Sequence, residues 1–239
     1  EDSSLVSITL PASITKINDS MFKDCSSLET VTAEGTITEV GQEAFENNTK
    51  LTNIPDLSQV TSMGTFAFSE CNNLKGEVNL ASLNDILYRA FLNTPIESVV
   101  LSDSLQKIDD EAFSGTKIAS ITFPESLTAI GSKSFANTLL NQDTLIIPDN
   151  VATIGSSAFS GATIKKLVLG SGLTNTSNNE FAGIDGLESV TVQNSSDVLN
   201  LSNAGLPQNV TINYTIPSIS DTVGDRISSE AGAPSLQEA

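Results

Sequence analysis

The sequence predicts a stacked solenoid of the α/β class that is mainly β, with one parallel-stranded sheet on its concave face and short turns or helical turns elsewhere. Three observations carry that prediction: phenylalanine returns at a nearly fixed interval, two apolar positions precede each phenylalanine at constant distance, and a short alternating apolar run opens each unit. Phe22, Phe45, Phe68, Phe91, Phe113, Phe135, Phe159 and Phe181 are separated by 23, 23, 23, 22, 22, 24 and 22 residues. A period in the twenties marks a unit that cannot bury its apolar side alone, so neighbours must stack.

Five residues before each phenylalanine stand Ile17, Val40, Met63, Ile86, Ile108, Ile130, Ile154 and Thr176, all apolar except the last. Three residues earlier again come Ile14, Ile37, Val60, Leu83, Leu105, Leu127, Val151 and Leu173. Upstream lies a run seen as Leu5/Ile8/Leu10, Leu28/Val31/Ala33, Ile96/Val99/Leu101, Ile118/Ile121/Phe123, Ile164/Leu167/Leu169 and Leu187/Val190/Val192. Its last two apolar positions are two apart, the period of a strand, which predicts one short strand per coil. Pro11, Pro124 and Pro148 end three of these runs, because proline has no N–H to give a neighbouring strand.

One unit, from Thr144 to Gly161, shows the pattern whole: Leu145, Ile147, Pro148, then Val151, Ile154, Gly155, and Ala158-Phe159. Ala-Phe also stands at 44/45, 67/68, 90/91 and 112/113, and the glycine returns at Gly41, Gly64 and Gly131. These units resemble the BspA-like leucine-rich-repeat family across roughly residues 5 to 193. Departures are local: one extra residue in Leu51/Ile54/Leu57 and in Leu74/Val78/Leu80, an insertion over 137–143, and Thr176 in place of an aliphatic. The resemblance implies a leucine-rich-repeat solenoid in a secreted or cell-surface microbial protein that adheres to host matrix proteins or to other cells.

The period divides the chain into a solenoid over 1–193, eight coils of about 23 residues plus a ninth strand, a C-terminal cap over 194–216 and a polar tail or linker over 217–239. Val198, Leu199, Leu201, Leu206, Val210 and Ile212 supply apolar groups to the cap, and 209–214 alternates as an edge strand does. Beyond Pro217 few large apolar residues remain to offset the entropy of ordering. Residues 1–4 are too few and too polar to cover Leu5 and Ile8, which predicts more natural sequence before Glu1 or another chain at that end.

Apolar content of 38% fills one elongated core, while a net charge of −18, with 11 basic against 29 acidic residues, opposes nucleic acid as a partner. No apolar run approaches the roughly 20 residues needed to span a bilayer, and no basic-then-apolar signal segment opens the chain. The start at Glu1, almost on the first coil, is that of a mature or trimmed chain and leaves secretion open. Cys25 and Cys71 each lie three residues after a phenylalanine, two coils apart. Strands stack about 4.8 Å apart, so the two thiols fall roughly 10 Å apart, beyond the about 7 Å reach of a disulfide. They are expected to be free and buried.

No catalytic, metal or cofactor site is expected. The chain has no histidine, which removes Ser-His-Asp and Cys-His catalysis and the commonest general base together. Ser13/Lys16 and Ser104/Lys107 share the Ser-x-x-Lys spacing of some acyl-transfer enzymes, but their common repeat register marks exposed turns. Gly170-Ser171-Gly172 lacks the other glycines of a nucleotide loop. Asp109, Asp110 and Glu111 form the densest acidic cluster without the spacing of an EF-hand, and read as a solvated turn.

What remains is a face. Residues between the inward positions point outward and are expected to line up across coils: Ser7 and Thr9, Thr30 and Thr32, Ser98 and Val100, Ser120 and Thr122, Lys166 and Val168, and Ser189 and Thr191. This Ser/Thr field carries few charges and no Trp or Tyr. Because solenoids offer extended curved surfaces, it predicts a non-enzymatic binding module whose concave sheet engages a protein partner, such as host matrix or another cell surface. The competing reading is a structural spacer that projects another domain, since threonine suits exposed strand positions without any ligand.

Overall fold

The structure, a computed structural model, describes residues 4–176, 179–193 and 199–215. Along the chain lie β1 (Ser7–Leu10), β2 (Lys16–Ile17), β3 (Thr30–Ala33), β4 (Glu39–Val40), β5 (Ser62–Met63), β6 (Glu77–Leu80), β7 (Asp85–Ile86) and β8 (Ser98–Leu101). They continue as β9 (Lys107–Ile108), β10 (Ala129–Ile130), β11 (Asn141–Ile147), β12 (Thr153–Ile154), β13 (Thr163–Leu169), β14 (Ser189–Val192) and β15 (Thr211–Tyr214). Every pairing is parallel, and turns, with no helix among the described residues, complete each coil.

The longer strands form one face, and the two-residue strands form a second row that one strand per coil does not anticipate. That second row exists because Ile17, Val40, Met63, Ile86, Ile108, Ile130 and Ile154 each end a two-residue strand with a buried side chain. Thr176 is buried in the same register, and its hydroxyl donates to the Asn200 carbonyl instead.

Inside, seven rings from Phe22 to Phe159 form one column, with centroids 4.9–5.7 Å apart and planes within 23° of parallel. Offset stacking adds roughly 0.5–1.5 kcal/mol per pair beyond burial. A left-handed residue stands two before and two after each ring, as with Glu43 and Asn47 around Phe45 (φ 56° and 62°) or Arg89 and Asn93 around Phe91 (both φ 55°). The turns this creates are fastened coil to coil: Phe45 N–H donates to the Ala67 carbonyl and Phe68 N–H to that of Ala90, both at 2.8 Å.

Three residues after the rings runs a buried row that carries Cys, Asn or Thr from Cys25 to Thr138 and turns aliphatic at Ala162 and Ile184. Asn48 Nδ2 donates to the Phe22 and Phe45 carbonyls at 2.7 Å each, Cys71 Sγ to Phe45 O at 3.1 Å, and the Thr94 hydroxyl to Phe68 O. Cys25 and Cys71 are free and buried in this row, and burial pushes the Cys71 thiol well up. The repeated glycine serves close approach rather than an unusual φ: a Cβ on Gly155 would stand 2.2 Å from Ser132 N.

The cap expected over 194–216 is described only from 199 to 215. Leu199, Leu201 and Ala204 are buried there, and β15 pairs with β14 in the register Val190↔Ile212 and Val192↔Tyr214. Val198, the residues 194–197 and the tail 217–239 lie outside the described residues.

Candidate functional site: an interrupted strand face

The expected outward positions are brought together in three groups instead of one row. Ser7 and Thr9 stand on β1 opposite Thr30 and Thr32 on β3, with the Thr9 and Thr32 hydroxyls 2.9 Å apart. Ser98 and Val100 on β8 face Glu77 and Asn79 on β6, where Ser98 Oγ donates to Glu77 Oε2 at 3.2 Å. In the third group Lys166 and Val168 on β13 lie between Thr144 and Ile146 of β11 and Ser189 and Thr191 of β14. Beyond β14 follow Thr211 and Asn213 of β15.

These positions are not equally open. Ser7, Thr9, Val100, Ser120, Thr122 and Lys166 are exposed. Thr30, Thr32, Ser98, Val168, Ser189 and Thr191 are only half-buried surface. Thr191 shows the cause: it stands in register with Val168 on one side and Asn213 on the other, and a side chain this short is partly covered by both neighbouring strands. Thr9 escapes because β1 pairs on one side only, and Lys166 because its long chain reaches clear of the sheet.

The outward set read from the sequence also omitted Glu77, Asn79, Thr144, Ile146, Thr211 and Asn213. The alternation around Val78, around Leu145 and Ile147, and along 209–214 was the signal that could have found them. Ile146 is the most exposed large apolar side chain among the described residues, at 58%. Lys166 is ion-paired with Asp143 at 3.3 Å, and that contact holds the Asp143 carboxyl below the usual range.

Ser120 and Thr122 correct the expectation of one strand per coil. They are exposed, but 118–123 forms no strand, and β8 pairs only with β6. Two features of the sequence account for it. Phe123 occupies the place held by Leu101 and Ile147 in adjacent coils, and its larger ring turns edge-on against Phe135 at 5.6 Å. The insertion then supplies Gln142. Where adjacent coils meet backbone to backbone, as at the bridge between Thr30 and Asn53, Val31 N–H reaches Asn53 O directly at 2.9 Å. Ile121 N–H instead donates to Gln142 Oε1, and Gln142 Nε2 donates to Thr144 O, both at 2.9 Å. One carboxamide is thus inserted where a ladder hydrogen bond would run.

The first interruption lies at 53–57. A single bridge joins Thr30 to Asn53, and extending that register sets Pro55, which has no N–H, opposite Thr32. The short row parts at the same level, since β5 and β7 belong to different sheets. A cleft of about 220 Å³ opens there between Ile54/Asp56 and Lys75/Glu77. Asp56 is held below the ordinary carboxylate range because it accepts the Ser58 hydroxyl and the Ser58 N–H.

The second interruption is flanked on both sides. A cleft of about 480 Å³ is lined by Leu101, Asp103, Thr122, Phe123, Pro124 and Glu125. Across Thr122, a second of about 180 Å³ is lined in part by Ile121, Glu125, Gln142, Ile146 and Pro148. Neither is lined by Lys or Arg.

The turns with Ser-x-x-Lys, acidic or glycine-rich spacing are each occupied by other contacts. Lys16 pairs with Glu39 at 3.0 Å, a hydrogen bond that raises the lysine, and Lys107 lies 3.4 Å from Asp109. Asp110 accepts Ser132 N–H at 2.6 Å, while Glu111 pairs with Arg89 at 3.0 Å. Gly170 N–H donates to Ile147 O and Ser171 N–H to Asp149 Oδ1. Among the described residues no acidic, cysteine or histidine group gathers as a metal cluster.

Solved structures share this architecture. A leucine-rich cell surface protein of Faecalibacterium prausnitzii aligns at 20% identity over 90% of this chain and 80% of its own, with a TM-score of 0.54. The pneumococcal vaccine antigen PcpA aligns at 19% over 91% and 76%, with a TM-score of 0.55. No curated protein matches in sequence. The model of the BspA type leucine rich repeat region matches in 6 copies over residues 1–116 and 84–204. The chain belongs to the BspA type leucine-rich-repeat family.

Proposed function

We propose that this chain is a non-enzymatic binding module of a secreted or cell-surface microbial protein, adhering to a protein partner such as host matrix or another cell through its strand face. The observation that carries the reading is that face itself. Hydroxyl, amide and aliphatic groups stand outward on stacked strands, and two interruptions give relief to a surface that an unbroken ladder would leave flat. Extended solenoid faces suit partners of matching length. The surface location of the F. prausnitzii relative supports a surface role. No helix among the described residues is long and apolar enough to cross a membrane.

The test is binding of the purified protein to immobilised extracellular-matrix proteins and to whole cells, with the Thr32→Glu/Thr122→Glu double variant alongside. Both residues stand on the strand face outside the core, so the unfolding midpoint should move little, within about 0.5 kcal/mol. Saturable binding lost by the variant supports the reading. Absence of binding across the panel favours a spacer, and undiminished binding by the variant moves the site off the strand face.

A further inference from the structure

We infer that the second interruption of the strand face is a docking site for an extended peptide segment of a partner protein that carries an aliphatic side chain flanked by lysine or arginine. The inference rests on the adhesive reading above and assigns it a place and a partner chemistry.

Three observations converge on it. First, the two clefts meet at Thr122, whose segment has no strand partner, so the surface there is recessed. Second, the outward row crossing the recess is the aliphatic part of the face: Val100 is 37% and Ile146 58% exposed, with Thr122 between them in the repeat. Their burial against a partner's apolar side chain is favourable at about 25 cal/mol per Å². Third, the titratable side chains lining the two clefts are Asp103 and Glu125, both exposed and acidic, on a chain of net charge −18. Lys166 lies on the far flank and is paired with Asp143. Charge complementarity therefore selects a cationic partner and repels an acidic one.

The recess is built to differ from its neighbours. The first interruption has Lys75 beside Asp56 and Glu77, so its lining carries both signs. Ile146 lines the same cleft as the inserted Gln142, so the insertion that interrupts the ladder leaves the regular outward position of Ile146 at the edge of the gap.

The experiment uses fluorescence anisotropy with a short labelled peptide alternating lysine and leucine, and a control of the same charge alternating lysine and serine. The lysine/leucine peptide should bind about tenfold or more tightly than the control. Ile146→Asp and Glu125→Lys should each weaken it about tenfold, whereas Met21→Ser, at an exposed turn beside Phe22 and off the strand face, should leave it unchanged. Both altered side chains at the recess are exposed, and an unchanged unfolding midpoint verifies the fold. Equal binding of the two peptides, or binding indifferent to Ile146→Asp, overturns the proposal. The same protein preparations, applied to immobilised matrix proteins, separate the two readings. Matrix binding that survives Ile146→Asp and Glu125→Lys rejects the recess while leaving the strand face as a binder. Peptide binding without any matrix or cell binding sustains the recess and rejects adhesion.

Discussion

The phenylalanine side and the strand side of the same coils behave differently. On one side seven rings stack without interruption, and the Phe N–H bonds run from coil to coil, including from Phe68 to Ala90 across the level where both strand rows part. On the other side the ladder fails at 53–57 and again at 118–123. Continuity of the stack therefore lives in the ring column and its turns. The strand face is free to accept a proline, a bulkier core residue or an insertion, and those irregularities create its clefts.

The largest expected effect breaks the column. Phe91→Ala removes a fully buried ring stacked on Phe68 and Phe113, and should cost about 3–5 kcal/mol in chemical denaturation. Next is Asn48→Leu, which leaves the Phe22 and Phe45 carbonyls without the amide that serves both, for a loss of about 1–3 kcal/mol. On the strand face, Gln142→Ala removes a half-buried bridge that water can replace, so about 1 kcal/mol is expected. A loss as large as that of Phe91→Ala would erase the distinction between the two sides.

The smallest effect is a pH dependence. Asp56 titrates lower in the folded chain than in the unfolded one because Ser58 hydrogen-bonds its ionised form. Its contribution is thus present above the unfolded carboxylate value, about 3.9, and is lost as pH falls through the lower folded value. Asp56→Asn should lower the neutral plateau slightly and flatten the stability curve below about pH 4, so that the two proteins converge in acid, as read by urea titration at each pH. An unchanged neutral plateau, or a deficit that persists in full at acid pH, would show that the carboxylate is not stabilised in the way described.

The regular side was the legible side. Residues that recur at fixed distance, such as Ile108 five before Phe113, announced burial because an inward position admits few side chains. The turns around each ring were only half legible. Asn47, Asn93 and Gly115 after the rings are residues that tolerate the left-handed region, but Glu43, Phe66, Arg89 and Lys133 before them are not. Inter-coil hydrogen bonds hold those four where local preference would not, as Phe66 N–H to Tyr88 O illustrates.

The face was legible in parity and illegible in pairing. Thr9 and Thr32 meet as alternation requires, whereas Ser120 and Thr122 carry the same alternation and find no ladder. Alternation also says nothing of how far a neighbouring strand covers an outward group, as Thr191 between Val168 and Asn213 shows. The decisive groups at 118–123, the Phe123 ring and the Gln142 carboxamide, act across coils. The extra residue near Ile54 and the insertion over 137–143 marked where regularity would fail, but a length difference alone does not say which hydrogen bonds are replaced.

Amide hydrogen exchange compares the two sides within one molecule and tests most directly whether the column holds the stack while the face is free to vary. The amides of Phe91, Phe113 and Phe135, each bonded to the next coil at 2.8–2.9 Å, should exchange only through the largest openings, with protection close to the global unfolding free energy. Those of Thr122 and Phe123, in the segment without a strand partner, should exchange far faster under the same conditions. Equal protection on both sides, or a phenylalanine row that exchanges first, would contradict the account.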